Sequence, residues 1–110
     1  MILEKSWGII RTYTLNQVCT VKMLIIAENR ETSLHFHRLR DDMWVIVDDG
    51  LEVRIGDEVH HPKAGDEFVI TAGTPHRIKA GARPGRVLEI DFGYASEDDV
   101  LYGEGEARTV

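Results

Sequence analysis

The chain has 110 residues, of which 43% are hydrophobic and 29% are charged, and its 13 Lys and Arg are outnumbered by 19 Asp and Glu. This length and composition predict one ordinary globular domain and exclude a disordered chain. Because a net charge of −6 leaves no basic surface for phosphate backbones, we expect no nucleic-acid partner.

The start of the chain and its cysteine content bear on where the protein works. The first residues, MILEKSWG, have neither the basic region nor the apolar run of a signal peptide. No apolar stretch approaches the roughly 20 residues that cross a bilayer. The single cysteine, Cys19, allows no internal disulfide and fits a reducing compartment. We therefore expect a cytoplasmic protein without membrane contact.

Five segments carry the signs of β-strands. The first two, 21–27 (VKMLIIA) and 44–47 (WVIV), are apolar and β-branched enough, despite Lys22, to predict strands buried on both faces. Segment 51–55 (LEVRI) alternates between apolar and charged residues, which predicts one buried face. Segment 67–70 (EFVI) is mostly apolar as well and also predicts a strand buried on both faces. In 86–92 (RVLEIDF) the alternation returns, with an apolar face opposite Glu89 and Asp91.

Turns separate these strands, and no helical periodicity lasts more than a few residues. Turns such as 48–50 (DDG) recur at short intervals, and this spacing predicts an all-β sandwich or barrel. We expect one domain over residues 1–110, with the barrel at about 20–95. The tail at 96–110 is acidic and is expected to contain at most one helical turn. Trp7 is expected to pack in the core or against the barrel edge.

A histidine pair in the stretch SLHFH is the first candidate site. On a strand, His35 and His37 point to the same face about 6–7 Å apart. Two imidazoles at that separation can bind one metal ion at about 2 Å from each nitrogen. The alternative is that both are polar residues on a solvated strand face, so the interpretation depends on further ligands.

Two later segments offer further ligands. Asp42 follows His37 by five residues, and Asp41 precedes it; either carboxylate could bind the same ion, or both could be solvated turn residues. In GDEFVITAGTPHR, at 65–77, a strand ends in a Gly turn and Pro75 stiffens the approach to His76. A rigidly presented histidine suits metal binding, although a turn histidine can equally be idle.

These residues form the two-part signature of the cupin superfamily, which the chain resembles. The motifs read His35-x-His37-x4-Asp42 and Gly65-x7-Gly73-x2-His76. Within the superfamily the chain is most similar to type II phosphomannose isomerase, the C-terminal domain of bifunctional isomerase–guanylyltransferases. The pieces that match are EKSWG near the start, VRIGDEVH, AGTPHR and EIDFGYASEDDV.

The resemblance implies a jelly-roll barrel, or double-stranded β-helix, with one divalent metal ion at its mouth. The implied ligands are His35, His37, Asp42 and His76, with Asp41 as the alternative carboxylate. Zn, Mn, Co, Ni and Fe all suit such ligands, and the sequence does not choose among them. Small cupins generally pair through an edge strand or an exchanged N-terminal strand, so the resemblance also implies a homodimer.

The chain departs from the isomerase pattern at several places. The isomerases usually have Gln where this chain has His35, and Glu where it has the shorter Asp42. Another of their histidines is replaced by Met43. A family glycine is replaced by Asn29, which can also adopt a positive φ. These changes affect the substrate site more than the metal site.

Arginines near the motifs are candidates for substrate binding. Arg40 and Arg77 flank the ligands and could pair with a sugar phosphate, although both could also be solvated strand-end charges. Glu67, Glu89 and a metal-bound water are the possible bases. His60 and His61 are expected to be surface residues.

Three functions remain open at this point. By resemblance, the chain is a sugar-phosphate isomerase of the mannose-6-phosphate type, acting on a small-molecule ligand. A different metal-dependent cupin enzyme, such as a dioxygenase, uses similar ligands. A cupin that binds a small ligand without chemistry would explain the lost polar residues.

Overall fold

The computed structural model describes residues 1–103. Its strands are β1 (Ile2–Lys5), β2 (Gly8–Arg11), β3 (Thr20–Ile26), β4 (His35–Phe36), β5 (Arg40–Ile46), β6 (Glu52–Ile55), β7 (Glu58–His60), β8 (Glu67–Ile70), β9 (His76–Lys79), β10 (Gly85–Gly93) and β11 (Leu101–Tyr102). One turn of 3-10 helix, Glu97–Asp99, precedes β11. Within the described range, no helix has the length and apolar character needed to cross a bilayer.

Two antiparallel sheets pack face to face around the core. One has the strand order β3-β10-β5-β8, and the other has the order β11-β4-β9-β6-β7. Trp44, Ile46 and Val87 of the first sheet meet Val53 and Ile78 of the second. This is the layer arrangement of a jelly roll. The prediction of a single all-β cupin barrel is therefore confirmed.

All five predicted strands form, as β3, β5, β6, β8 and β10, but two are less buried than predicted. On β3, the side chains of Val21, Met23 and Ile25 are 57%, 46% and 69% exposed, and Val69 on β8 is 65% exposed. Both strands are edges of the same sheet. The prediction that both faces are buried is wrong for them, because their outer face has no covering element in the described chain.

The N-terminal residues form a separate β1–β2 hairpin, which the strand patterns did not predict. A hydrogen-bonded ion pair joins it to the barrel, with Arg11 Nη2 at 3.1 Å from Oε1 of Glu67. Ile2 and Ile9 are exposed, and Trp7 in the turn is 72% exposed. The prediction that Trp7 packs in the core or against the barrel edge is wrong, because most of its surface is exposed to solvent.

The segment after β10 is part of the barrel up to the end of the described residues. Strand β11 pairs with β4, with Tyr102 opposite His35. The carboxylate of Asp99 accepts hydrogen bonds from the backbone N of Arg38 and of Leu39, at 3.0 and 2.8 Å. The barrel thus extends past residue 95, and the single predicted helical turn is the 3-10 turn. Residues 104–110 of the predicted acidic tail lie outside the described residues.

Candidate metal centre

The two histidine motifs meet because β4 and β9 are neighbours. Their register places His35 opposite His76. His37 follows β4, and its carbonyl accepts a hydrogen bond from the backbone N of Gly73 at 2.7 Å. Gly73 has a φ of +85°, which other residues rarely adopt. This glycine turn therefore fixes the backbone of His37 and the start of β9 together.

The three imidazole rings lie against one another. The ring centres of His35 and His76 are 4.6 Å apart, and His37 lies 5.1 Å from each of them. One ring nitrogen of each histidine lies within 4.8 Å of the other two. His37 and His76 are buried, and His35 is half-buried. Nitrogens from two distant segments thus converge on one small volume.

Hydrogen bonds to the backbone indicate which nitrogen of each imidazole ring carries the lone pair. Each Nδ1 lies beside a backbone carbonyl oxygen, which only accepts, so Nδ1 carries the hydrogen and Nε2 carries the lone pair. Nε2 of His76 is buried and has no hydrogen-bond partner among the described residues. The carbonyl partners are Ser33 for His35 at 2.9 Å, Asp99 for His37 at 2.6 Å and Thr74 for His76 at 2.9 Å.

Burial keeps the three imidazoles neutral. It lowers the pKa of His35 and of His37 below the usual 6.5, and it lowers the pKa of His76 to about 3. A neutral imidazole whose Nδ1 hydrogen is held by a carbonyl is the form that binds a metal ion through Nε2. This donor set, with its unpartnered buried Nε2, therefore fits a divalent ion.

Asp42, and not Asp41, lies beside the histidines. The Asp42 side chain is 1% exposed, and its Oδ2 is 3.7 Å from Nε2 of His37. That oxygen has no hydrogen-bond partner within residues 1–103. Asp41 points to the other face of β5, where Oδ1 accepts a hydrogen bond from Ala72 N at 2.8 Å. Of the two alternatives, Asp42 is the one next to His37, but its ligand atom groups with those of Glu89 and Asp91 and not with all three imidazole nitrogens.

The two arginines proposed to bind substrate lie in different places. Arg40 is buried, with Nε 2.8 Å from Oδ1 of Asp42 and Nη2 3.0 Å from Nε2 of His37. Arg77 lies on the outer face of β9, where its Nε is 3.4 Å from Oε2 of Glu31. The structure brings Arg40 into the histidine cluster and leaves Arg77 outside it.

Three buried carboxylates, those of Asp42, Glu89 and Asp91, form a second cluster next to the first. Lys22 Nζ is 3.0 Å from Oδ2 of Asp91, and Arg40 Nε is 3.6 Å from its Oδ1. Burial, with the repulsion between carboxylates, raises the pKa of Asp42 to about 8 and the pKa of Glu89 to about 7. The face of β10 that carries Glu89 and Asp91 thus points into the barrel, whereas the alternation in the sequence predicts that the apolar face of this strand does so. Lys22 and Asp91 are site residues that the motifs did not indicate.

A cavity of about 310 Å³ adjoins the histidines. A larger hollow of about 650 Å³ lies around Leu51 and Pro62. Its histidine, His61, is exposed as expected and pairs with Glu52 at 3.2 Å. We therefore take the smaller cavity, where buried polar groups converge, as the candidate site. The residues that line it include Lys22, Ser33, His35, His37, Arg40 and Glu89.

Comparison with known proteins identifies the family. A family model described as mannose-6-phosphate isomerase, C-terminal, matches residues 2–104. The chain belongs to the mannose-6-phosphate isomerase C-terminal family. The match includes both histidine motifs, the carboxylate cluster and the N-terminal hairpin, so the family signature and the candidate site coincide along the chain.

Curated relatives extend far beyond this family domain. Xanthan biosynthesis protein XanB of Xanthomonas campestris pv. campestris (strain B100) is 30% identical over 99 residues, which are 88% of this chain and 21% of that protein. A mannose-1-phosphate guanylyltransferase of Sinorhizobium fredii is 30% identical over 111 residues, covering 96% of this chain and 21% of that protein. The chain spans about a fifth of the length of these relatives.

Solved structures share the fold of this chain. A cupin-2 domain containing protein from Shewanella frigidimarina superposes with a TM-score of 0.58 at 21% identity. The match covers 70% of this chain and 72% of that one. At this level of identity the likeness concerns the fold, and it agrees with the jelly roll read from the sheets.

Proposed function

We propose that the protein is a metal-dependent isomerase of sugar phosphates, which interconverts mannose 6-phosphate and fructose 6-phosphate. The observation that carries this proposal is the convergence of three neutral histidines, two of which, His35 and His37, line a cavity together with Arg40 and Glu89. Membership of the isomerase C-terminal family supports the substrate class. Aldose–ketose chemistry needs an electrophile at oxygen and a base at carbon. Groups suited to both roles face this cavity.

His35, His37 and His76 would hold one divalent ion, with Oδ2 of Asp42 as the fourth ligand. When bound, such an ion acts as a Lewis acid that polarises the carbonyl and hydroxyl oxygens of the sugar. Zn, Mn, Co, Ni and Fe all suit this donor set. Nε2 of His37 accepts a hydrogen bond from Arg40. Arg40 must therefore release that nitrogen before His37 can bind an ion.

Lys22 and Arg40 are better placed than Arg77 to hold the phosphate. Both line the cavity, whereas Arg77 is on the outer face of β9 next to Glu31. An ammonium and a guanidinium are the two side-chain cations that bind phosphate, the second as a fork. We therefore propose that Arg40 and Lys22, and not Arg77, bind the phosphate of the substrate.

The test is a conversion assay with each candidate metal supplied in turn. We expect metal-loaded protein to form fructose 6-phosphate from mannose 6-phosphate, and the variant with His37→Ala and His76→Ala to form none. Calorimetric binding of mannose 6-phosphate without turnover would indicate a ligand-binding cupin instead. Oxygen uptake with Fe would indicate a dioxygenase. Either result contradicts the isomerase proposal.

The protein is further proposed to be a homodimer. The hairpin exposes apolar side chains on both of its faces, and an isolated two-stranded hairpin is at best marginally stable in water. The outer face of β3 carries three more exposed apolar side chains. Two copies related by a two-fold axis could cover the hairpin of one with the sheet of the other, which is a self-complementary arrangement.

A further inference from the structure

Two carboxylates line the candidate site: Glu97 is exposed on the 3-10 turn at its rim, and Glu89 is buried. Glu89 lies on the inward face of β10, opposite Trp44 in the strand register. Its side chain is 5% exposed in total, yet it lines the same cavity as His35 and His37. The indole Nε1–H of Trp44 donates a hydrogen bond to Oε1 at 3.0 Å. Oε1 is thus anchored, and Oε2 is the oxygen left for other contacts.

The other oxygen lies within substrate reach of the histidines. One nitrogen, Nη2 of Arg40, is 3.0 Å from Nε2 of His37 and 3.9 Å from Oε2 of Glu89. Oε2 of Glu89 and Nε2 of His37 are therefore no more than about 7 Å apart, because both are close to the same atom, Nη2 of Arg40. Nη2 of Arg40 contacts both groups, so Arg40 must move, as it must for His37 to bind an ion, before a carbon atom of a small ligand fits between them.

The neighbouring carboxylates are excluded by position. Asp42 and Asp91 are 1% and 0% exposed, do not line the cavity, and pair with Arg40 and Lys22. Glu67, the other candidate base, shares a strand register with Val45 on the outer face of the same sheet and is tied to Arg11. Among the described buried carboxylates, Glu89 is the one that faces the cavity.

We propose that Glu89 is the catalytic base of the isomerase, a role that rests on the proposed function. Its carboxylate removes the proton from C2 of the open-chain aldose phosphate. The C2–H electron pair forms the C1=C2 double bond, and the carbonyl π pair moves to O1, which takes a proton from solvent. The enediol then loses the O2 proton to solvent and forms C2=O. Glu89 returns its proton to C1, so no oxidant or reductant is consumed.

The test compares Glu89→Gln with Glu67→Gln, the same substitution on the opposite face of the sheet. Glutamine keeps the size of the side chain and an acceptor for Trp44 Nε1–H. We expect Glu89→Gln to slow both turnover and deuterium exchange at C2 by at least about a hundredfold, the usual contribution of a general base. Glu67→Gln should stay within about twofold of the unaltered protein.

Two measurements separate chemistry from folding and binding. Metal content by elemental analysis and calorimetric affinity for mannitol 6-phosphate, which cannot isomerise, should change less than about threefold in Glu89→Gln. Glu89→Asp, which keeps a carboxylate, should recover part of the exchange rate. Loss of metal or of mannitol 6-phosphate binding would overturn the catalytic role in favour of a binding one.

The results also distinguish a wrong role for Glu89 from a wrong isomerase function. If the unaltered protein isomerises and Glu89→Gln retains its rate within tenfold, Glu89 is not the base and the isomerase proposal stands. If the unaltered protein shows neither turnover nor C2 exchange with any metal, the isomerase proposal fails, and the role of Glu89 fails with it.

Discussion

At the scale of single residues, the ligands can be tested by removing one imidazole at a time. Purified protein should carry about one divalent ion per chain, and His76→Ala should lose most of it, because removal of one of the four proposed ligands would cripple such a site. His61→Ala is the matched control, since His61 is exposed and pairs with Glu52 outside the cavity. Metal content by elemental analysis is the measurement. Equal metal in both variants would place the ion elsewhere.

The sequence predicted the histidines that converge and offered Arg40 and Glu89 as candidates near them, but it did not indicate Lys22 or Asp91. The spacing of His35 and His37 sets their face, and the Gly73 turn signal indicates where His76 begins a strand. Arg77 could not be separated from Arg40, because sidedness depends on the exact start of β9. Glu89 and Asp91 face inward, although in an alternating strand the apolar residues usually face the core and the charged residues face solvent. A buried charge is costly without partners, and the partners, Lys22 and Arg40, come from other strands.

At the scale of elements, the segment after β10 fixes the position of His37 and the loop that follows it. The Asp99 carboxylate accepts from two backbone N–H groups of the β4–β5 loop, and its carbonyl accepts from Nδ1 of His37. Asp99→Ala removes the carboxylate bonds, so we expect the free energy of unfolding to fall by about 2–3 kcal/mol. Metal affinity should fall by about tenfold or more, because the backbone carbonyl that supports His37 is held less firmly once the carboxylate bonds are gone.

Asp98→Ala is the control for that prediction, since Asp98 is the exposed neighbour in the same 3-10 turn. Denaturant unfolding and metal titration of both variants make the comparison. If Asp99→Ala binds metal as tightly as Asp98→Ala does, the segment has no part in ordering His37. The sequence showed this segment only as acidic, because the pairing of β11 with β4 is a contact between residues more than sixty positions apart.

At the scale of the whole molecule, the uncovered apolar surface points to a second copy. Strand patterns predicted that 21–27 and 67–70 are buried on both faces, whereas one face of β3 and β8 is exposed in a single chain. A specific interface buries about 800 Å² on each partner. The hairpin and the outer face of β3 together supply apolar side chains for such a contact, and a dimer would explain why the sequence pattern indicates burial there.

The dimer prediction is tested by placing a charge in each half of the proposed contact. Ile9→Glu in the hairpin and Ile25→Glu on β3 should each weaken association by at least about thirtyfold, which is the effect of losing one strong interface residue. Val59→Glu is the matched control, because Val59 is 52% exposed on β7 of the other sheet. Light scattering after size exclusion over a concentration series gives the mass. If the unaltered protein is a monomer at all concentrations, the dimer prediction is wrong. If only Val59→Glu loses the dimer, the interface lies on the opposite sheet.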